Sequence, residues 1–389
     1  MSVKRILICG DRNQFIPFNY SLDNHSALAS LGLNSGNAVF GFSIQKITMS
    51  KTVKVDMKPI SWIMKNPDII NESYDICLYS PANILAVWAK ERSLNKWSDL
   101  LQKIKIPFTF IGVGAQSTYD YSLDFVATIK DEGYRFIKSI LETGGKLALR
   151  GYFTAEVVKK LGFLNSDFEV LGCPSLFMNG AGLVIDLNKL NVNSQCDLKP
   201  IFNGYTFYFN KNYHHFFTDY PTSVYICQDI MYKMLYDISS FNDEYFLFQD
   251  GLFLELFKQN RIQMFCTFPE WQKYLIDNKF NFSIGSRIHG NIVSLLSGIP
   301  CYIEAIDSRV RELAEFFEIP YGSIKNPNLD LYDIFSKLDY KNFNTNFNKK
   351  FYNFKKFLNE QSIPCFDDAQ YINEKLNSIL TNFTPPPPS

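Results

Sequence analysis

This chain lacks the net charge that would recruit a polyanion: Lys plus Arg and Asp plus Glu each number 39. Without a global positive field, nucleic acid is not an expected partner. The sequence contains no run of eighteen apolar residues, so no helical membrane span is expected. The short apolar run at Ser2–Gly10 lacks the longer core and small-residue cleavage site of a secretory signal, and reads as a buried first strand. Eight cysteines are scattered with no CxxC pair, several of them inside apolar runs. Reduced thiols and a cytoplasmic setting are therefore expected rather than disulfides. The four histidines form no metal-ligand spacing with cysteines or carboxylates, so no metal is expected. GxGxxG, a P-loop Gly-Lys-Ser/Thr and a GxSxG elbow are all missing.

Apolar material is plentiful: hydrophobic residues make up 46% of the chain and aromatics 16% of it. A chain of 389 residues is too long for one ordinary core and predicts two domains. The excess of Phe, Tyr, Asn and Lys fits A/T-rich coding and carries no functional reading.

Short apolar runs alternate with helical patterns. Strands are predicted at Lys4–Cys9, Tyr74–Tyr79, Pro107–Gly112, Lys146–Leu149 and Phe168–Leu171. Helical spacing covers Asn37–Ile47, Ile84–Arg92, Leu123–Glu142 and Thr154–Leu161, the last with Thr154 as N-cap. A polar stretch from about Asn179 to Asn203 reads as a linker. Strands then recur at Tyr205–Phe209, Tyr245–Phe248, Gln263–Cys266, Phe282–Gly285 and Cys301–Ala305, with helices at His289–Ser297 and Arg309–Phe317. Asp307 or Ser308 caps the last of these. This alternation predicts an α/β fold of two Rossmann-like domains facing a cleft. Residues 1–180 form the first, 204–340 the second, and 341–389 add C-terminal helices and a frayed Pro385–Pro388 tail. Lys349, Lys350, Phe351, Phe354, Lys355, Lys356 and Phe357 read as an amphipathic helix, with a peripheral membrane contact as the functional alternative.

The densest chemical signal is Ser283–Pro300, SIGSRIHGNIVSLLSGIP. Arg287, His289 and Gly290 follow a strand and open a helix, where N–H groups and the helix dipole favour an anion. A guanidinium there grips a carboxylate or phosphate bidentately, and an imidazole donates a proton near neutral pH. The competing reading pairs Arg287 with a domain-closing carboxylate and makes His289 a cap. Gly112 and Gly114 in the loop Gly112–Gln116 let backbone approach a ligand, or simply turn the chain. Arg150 ends a strand, as the second arm of an anion clamp or as a surface residue. His214 and His215 read as a solvated turn. His25 lies near the N-terminal loop, where it either lines the cleft or takes no part in it.

The combination resembles the polysaccharide pyruvyl transferase family. Arg287, His289 and Gly290, then Gly298, Ile299 and Pro300, stand at that family's spacing. Leu33, Gly36 and Asn37 look like its N-terminal glycine-asparagine segment, IGVGAQ at Ile111–Gln116 like its glycine loop, ALRG at Ala148–Gly151 like its arginine after a strand, and LGCP at Leu171–Pro174 like its proline turn. The resemblance runs from about residue 30 to about residue 320. It implies a GT-B-like fold and transfer of pyruvate from phosphoenolpyruvate to a sugar acceptor, lipid-linked in many members, with no cofactor. His289 and Arg287 are the implied catalytic residues; Arg150, Gly112, Gly114, Gln116, Asn37 and Gly290 are implied in binding. The family often has a lysine after the strand that follows GIP; here Asp307-Ser308-Arg309 stands there, and Arg309 is either its substitute or an exposed helix residue. The implied protein works in the cytoplasm, at the inner membrane face where the acceptor is lipid-borne. Two other readings stay open: a sugar-nucleotide glycosyltransferase, against which Asn291–Ser297 offers no carboxylate and Glu304 is the nearest substitute, and a non-catalytic carbohydrate-binding protein.

Overall fold

The computed structural model describes residues 3–10, 13–16, 18, 31–32, 34–204, 214–228, 255–256, 258–322, 330–366 and 369–381. Two six-stranded, wholly parallel sheets dominate it. The first is ordered β2-β1-β3-β4-β5-β6, from Val53–Lys58, Lys4–Cys9, Ile76–Tyr79, Phe108–Val113, Leu147–Leu149 and Glu169–Val170. The second is ordered β12-β11-β10-β7-β8-β9, from Tyr321–Gly322, Cys301–Glu304, Phe282–Gly285, Pro200–Phe202, Val224–Ile226 and Ile262–Gln263. The strand order reverses at β1/β3 in the first sheet and at β7/β10 in the second. In open α/β sheets these reversals open crevices at the strands' carboxyl ends. The fold is α/β with two Rossmann-like units, as the alternation predicts.

The central strands read as continuous apolar runs because both faces are covered. In β1, Ile6 and Ile8 face one core while Leu7 and Cys9 face another. The Lys130–Glu142 helix buries Gly133, Phe136, Ile137 and Ile140, a 3.6-residue stripe, and carries Asp131 and Glu132 in its first turn. One core runs through both units: Phe42 of the Asn37–Thr48 helix stacks on Phe268 of the Phe268–Asp277 helix at 5.2 Å. The long Lys341–Glu360 helix lays Phe343, Phe347, Phe351, Phe354 and Phe357 into that core. Phe177 stacks on Phe354 at 5.0 Å. The apolar face offered above to a membrane surface is thus taken by the protein itself, and Lys350 pairs with Glu318. Among the described residues no helix is long and apolar enough to cross a membrane. None of the eight cysteines, all among the described residues, is in a disulfide.

Several local expectations are corrected. Ile84–Arg92 is not an α-helix. Leu85 is held extended, donating to the Gly114 carbonyl at 3.2 Å and accepting from Gln116 N–H at 3.0 Å, and a π-helical turn follows at Lys90–Leu94. Gly151, not Thr154, is the N-cap of the Tyr152–Lys160 helix. The stretch to Asn203 contains β7, a central strand. Strands β2, β8 and β12 were not anticipated, and the strand near Cys266 is confined to Ile262–Gln263. His214 and His215 begin a helix, His214–Asp219, rather than a turn. The strands expected at 205–209 and 245–248, His25 and the proline tail lie outside the described residues.

Candidate active site

The site is built where β10 meets its following helix, at the second sheet's reversal. Gly285 has φ +142°, and a Cβ there would lie 2.4 Å from the Asn203 carbonyl oxygen. This close approach lets Arg287 N–H donate to that carbonyl at 2.7 Å. A buried side-chain relay locks the turn: Asn203 Nδ2 donates to Ser283 Oγ at 2.9 Å, Ser283 Oγ donates to Asn291 Oδ1 at 2.7 Å, and Asn291 Nδ2 donates to the Gly285 carbonyl at 2.8 Å. Arg287 is the N-cap residue of the Ile288–Leu296 helix and His289 sits in its first turn. Neither side chain caps the helix by a hydrogen bond.

The first unit contributes Arg150. Its N–H extends the β4/β5 pairing by donating to the Val113 carbonyl at 2.8 Å. Its side chain is buried, not a surface arm, and passes Gly114 so closely that a Cβ there would lie 3.3 Å from Cδ. Burial lowers its pKa, with Cys173 and Glu312 opposing and Arg309 assisting. Arg150 Nε and His289 Nε2 are both enclosed without a hydrogen-bond partner.

Arg150 and Arg287, one from each unit, act on the same imidazole. Burial first, then these two guanidiniums, push the His289 pKa down to about 3. His289 as a residue keeps partial exposure, but Nε2 itself is sealed, and that is the atom for which desolvation counts. His289 is therefore a neutral imidazole under the field of two cations, with Arg150 Nε and His289 Nε2 unsatisfied. Buried groups of this kind require a ligand, ion or water, and the local charge specifies an anion.

Other candidates fall into place around this centre. Arg309 donates through Nε to Asp307 at 2.8 Å, so its charge is engaged behind Arg150. Asp307 caps the Ser308–Phe317 helix. Gly112 packs against Pro174 and Ser80 at the proline turn. Gly290 allows close approach: a Cβ there would lie 2.1 Å from Asn203 Oδ1 and 2.7 Å from Gln228 Nε2. Asn37 and the neighbours of Gln116 line a separate cleft at the first sheet's reversal. Among the described residues no cluster of His, Cys, Asp or Glu is placed to hold a metal.

Sequence reasoning missed several buried polar residues here. Glu312 and Thr154 join the two units, and Asn203 and Asn291 lock the turn. Gln228 takes Ser35 N–H on its carbonyl at 2.9 Å, while Gln228 Nε2, Ser35 Oγ and Asn203 Oδ1 stay unpaired. Asn291 alone left a signal, one turn after Arg287 on an otherwise apolar helix.

A family model described as polysaccharide pyruvyl transferase matches residues 87–308. That span contains Arg150, Arg287 and His289. Among solved structures, similarity extends to an S. aureus MnaA–UDP co-structure (11% identity, 99% of each chain covered, TM-score 0.43). It extends also to Methanocaldococcus jannaschii UDP-GlcNAc 2-epimerase with UDP-GlcNAc and UDP (9% identity, 98% of this chain and 100% of that one, TM-score 0.43). Anabaena HepE in complex with UDP and glucose is similar at 9% identity, 98% and 100% coverage and TM-score 0.41. No curated protein matches the sequence significantly.

Proposed function

Since the chain belongs to the polysaccharide pyruvyl transferase family, we propose that it transfers pyruvate from phosphoenolpyruvate to a sugar residue of a capsular or exopolysaccharide precursor, forming a cyclic ketal. The observation that carries this is the convergence of Arg150 and Arg287, from separate units, on the neutral, unpaired His289. The donor brings a phosphate and a carboxylate on one carbon. Two guanidiniums, one from each unit, suit both groups.

In the proposed reaction a proton adds to the enol methylene, and positive charge develops at the carbon bearing phosphate. One sugar hydroxyl attacks that carbon and the C–O bond to phosphate breaks. A second hydroxyl of the same residue closes the ring. The two hydroxyl protons balance the one gained by the new methyl group and the one leaving with phosphate. The fixed cations offset the donor's charge and stabilise the departing phosphate without a cofactor. His289 is the proposed proton donor: its nitrogen is neutral in the empty site, and bound dianion favours its charged form. The work is assigned to the cytoplasm.

The test is phosphate release from phosphoenolpyruvate with a panel of lipid-linked and nucleotide-linked sugars. Release that depends on a sugar acceptor supports the reading. Calorimetry finding tight binding of a nucleoside diphosphate and none of phosphoenolpyruvate would overturn it in favour of a sugar-nucleotide enzyme.

A further inference from the structure

Beside the cationic centre lies a cleft of about 440 Å³ at the carboxyl ends of β1 and β3, the reversal point of the first sheet. Its size falls in the usual range of small-molecule sites, about 300–1,000 Å³. The described residues lining it include no Lys, Arg, Asp or Glu. Its walls combine the aromatic rings of Trp88, Tyr79 and Phe40 and the amides of Gln14, Asn37 and Asn83 with small and aliphatic residues.

Trp88 is the most telling of these. It lines the cleft with 48% of its surface exposed. Its indole N–H donates to Gln116 Oε1 at 3.0 Å, and Asn83 Nδ2 donates to the same oxygen at 2.8 Å. Gln116 thus fixes two wall residues at once, and Trp88 is oriented while about half of it stays exposed. Ala82, just before them, is held at φ +57°, unfavourable for a residue with a Cβ. Its carbonyl accepts from Gly114 N–H at 2.6 Å, which ties this wall to the loop passing Arg150. Gln14 also lines the cleft; it is buried, and its Oε1 has no partner. That oxygen calls for a donor such as a hydroxyl. Phe40 lines the cleft and also stands 5.7 Å, centroid to centroid, from the His289 ring.

From this geometry we infer that the cleft is a sugar subsite taking an uncharged pyranose stacked on Trp88, with hydroxyls received by Gln14, Asn83 and Asn37. Its role as the acceptor subsite rests on the pyruvyl-transfer reading; sugar binding itself does not. An aromatic face suits the C–H face of a sugar ring, and amides pair with hydroxyls without the desolvation cost of a charge. Contact through Phe40 and Ala82 places such a ring next to the anion-binding centre.

Saturation-transfer NMR and calorimetry on the full chain, without phosphoenolpyruvate, test this. The probes are methyl β-D-glucopyranoside, methyl β-D-galactopyranoside and the charged methyl β-D-glucuronide. At least one uncharged glycoside is expected to bind, and the glucuronide about tenfold more weakly or worse. Trp88→Ala weakens the binding by about tenfold or more, the scale for removing a central aromatic anchor. Trp88→Phe retains part of it. Phosphoenolpyruvate affinity, measured on the same variants, stays at the wild-type value and reports intact folding. Equal sugar binding by wild type and Trp88→Ala overturns the inference, as does a glucuronide that binds as well as its uncharged counterparts, or no glycoside binding where phosphoenolpyruvate binds. Glycoside binding without any phosphoenolpyruvate binding leaves the subsite standing and defeats the pyruvyl-transfer reading instead.

Discussion

The Glu312 carboxylate, carried by the second unit, accepts hydrogen bonds from Thr154 in the first: from its N–H at 3.1 Å and from its hydroxyl at 2.8 and 2.9 Å. The same hydroxyl accepts from Ala115 N–H at 2.9 Å, so one chain of bonds runs from the second unit to the glycine loop. Gly151 makes room, since a Cβ there would lie 2.8 Å from Glu312 Oε2. Ser117 and Ser308 reinforce the junction. Ser117 N–H donates to Ser308 Oγ at 2.7 Å, and Ser308 N–H donates to the Ser117 carbonyl at 3.3 Å. The two units are thus joined by polar contacts at the site as well as by the shared core.

The first prediction concerns Glu312 and pH. Burial raises its pKa to about 7, against the pull of Thr154 and Arg150. The folded state then holds a proton that the unfolded chain releases near the ordinary value of 4.5. Stability from this group is fully present below that value and is lost as pH rises towards 7. Glu312→Gln keeps an acceptor for Thr154 but cannot ionise. The stability of wild type relative to Glu312→Gln should fall as pH rises from 4.5 to 7, a difference from which the opposite trend of His289 cancels. Glu312→Ala leaves Thr154 unpaired and should cost about 1–3 kcal/mol near pH 4.5, and less as pH rises.

Gly290→Ala should destabilise the turn that carries Arg287 and His289. The added methyl would meet Asn203 Oδ1 at 2.1 Å and Gln228 Nε2 at 2.7 Å, and both side chains are buried. Overpacking of this kind costs about 1–3 kcal/mol. A lowered denaturant midpoint with an unchanged m-value, together with weaker donor binding, is expected. Unchanged stability would mean that Asn203 has room to turn away.

Much of this molecule was legible because periodicity reports what is repeated. The buried run Lys4–Cys9 and the stripe of Lys130–Glu142 give their structures directly. The arginine and histidine after β10 stood out for the same reason, as polar residues closing an apolar strand. What stayed hidden depends on contacts distant in sequence. Glu312 reads as one more charge on an amphipathic helix, and only the partner 158 residues away makes it an internal group. The Ile84–Arg92 pattern has helical spacing, but Gly114 and Gln116 claim the backbone of Leu85. Nothing local to that segment marks Trp88 as exposed. The strand Val53–Lys58 did alternate, and its signal was available.

Arg150→Ala and Arg287→Ala should each weaken phosphoenolpyruvate binding by roughly tenfold to a hundredfold, the scale of one lost charge-assisted contact, about 1.5–3 kcal/mol. Arg287→Lys should recover only part of this, because an ammonium cannot make the paired bonds of a guanidinium. Calorimetry measures both, with circular dichroism as the folding control. Wild-type donor affinity in Arg150→Ala would separate the two arginines and remove Arg150 from the donor site.

His289 yields the most discriminating prediction, because its charge must change for it to act. Burial and the two guanidiniums hold its pKa down at about 3, so it is neutral throughout the physiological range. A folded pKa below the ordinary value of 6.5 means the unfolded chain binds the proton more readily. Its contribution to stability is lost as pH falls from about 6.5 towards 3. Phosphoenolpyruvate reverses the local field. Its phosphate and carboxylate counter the two guanidiniums that hold the proton off, so donor binding should raise the His289 pKa and draw a proton in. Calorimetry in two buffers of different ionisation enthalpy measures that uptake directly. Comparison with His289→Gln subtracts whatever protons the donor's own phosphate takes up. The wild-type excess should approach one proton at acid pH and shrink as pH rises, and donor affinity should weaken in parallel. If the captured proton is the one delivered to the enol carbon, His289→Gln should lose about a hundredfold to ten-thousandfold in turnover. Its donor affinity should change far less. A variant that keeps normal turnover, or a wild type with no proton excess over it, would show that the acid lies elsewhere. His289 would then be a neutral residue of the helix's first turn, placed there to orient Arg287.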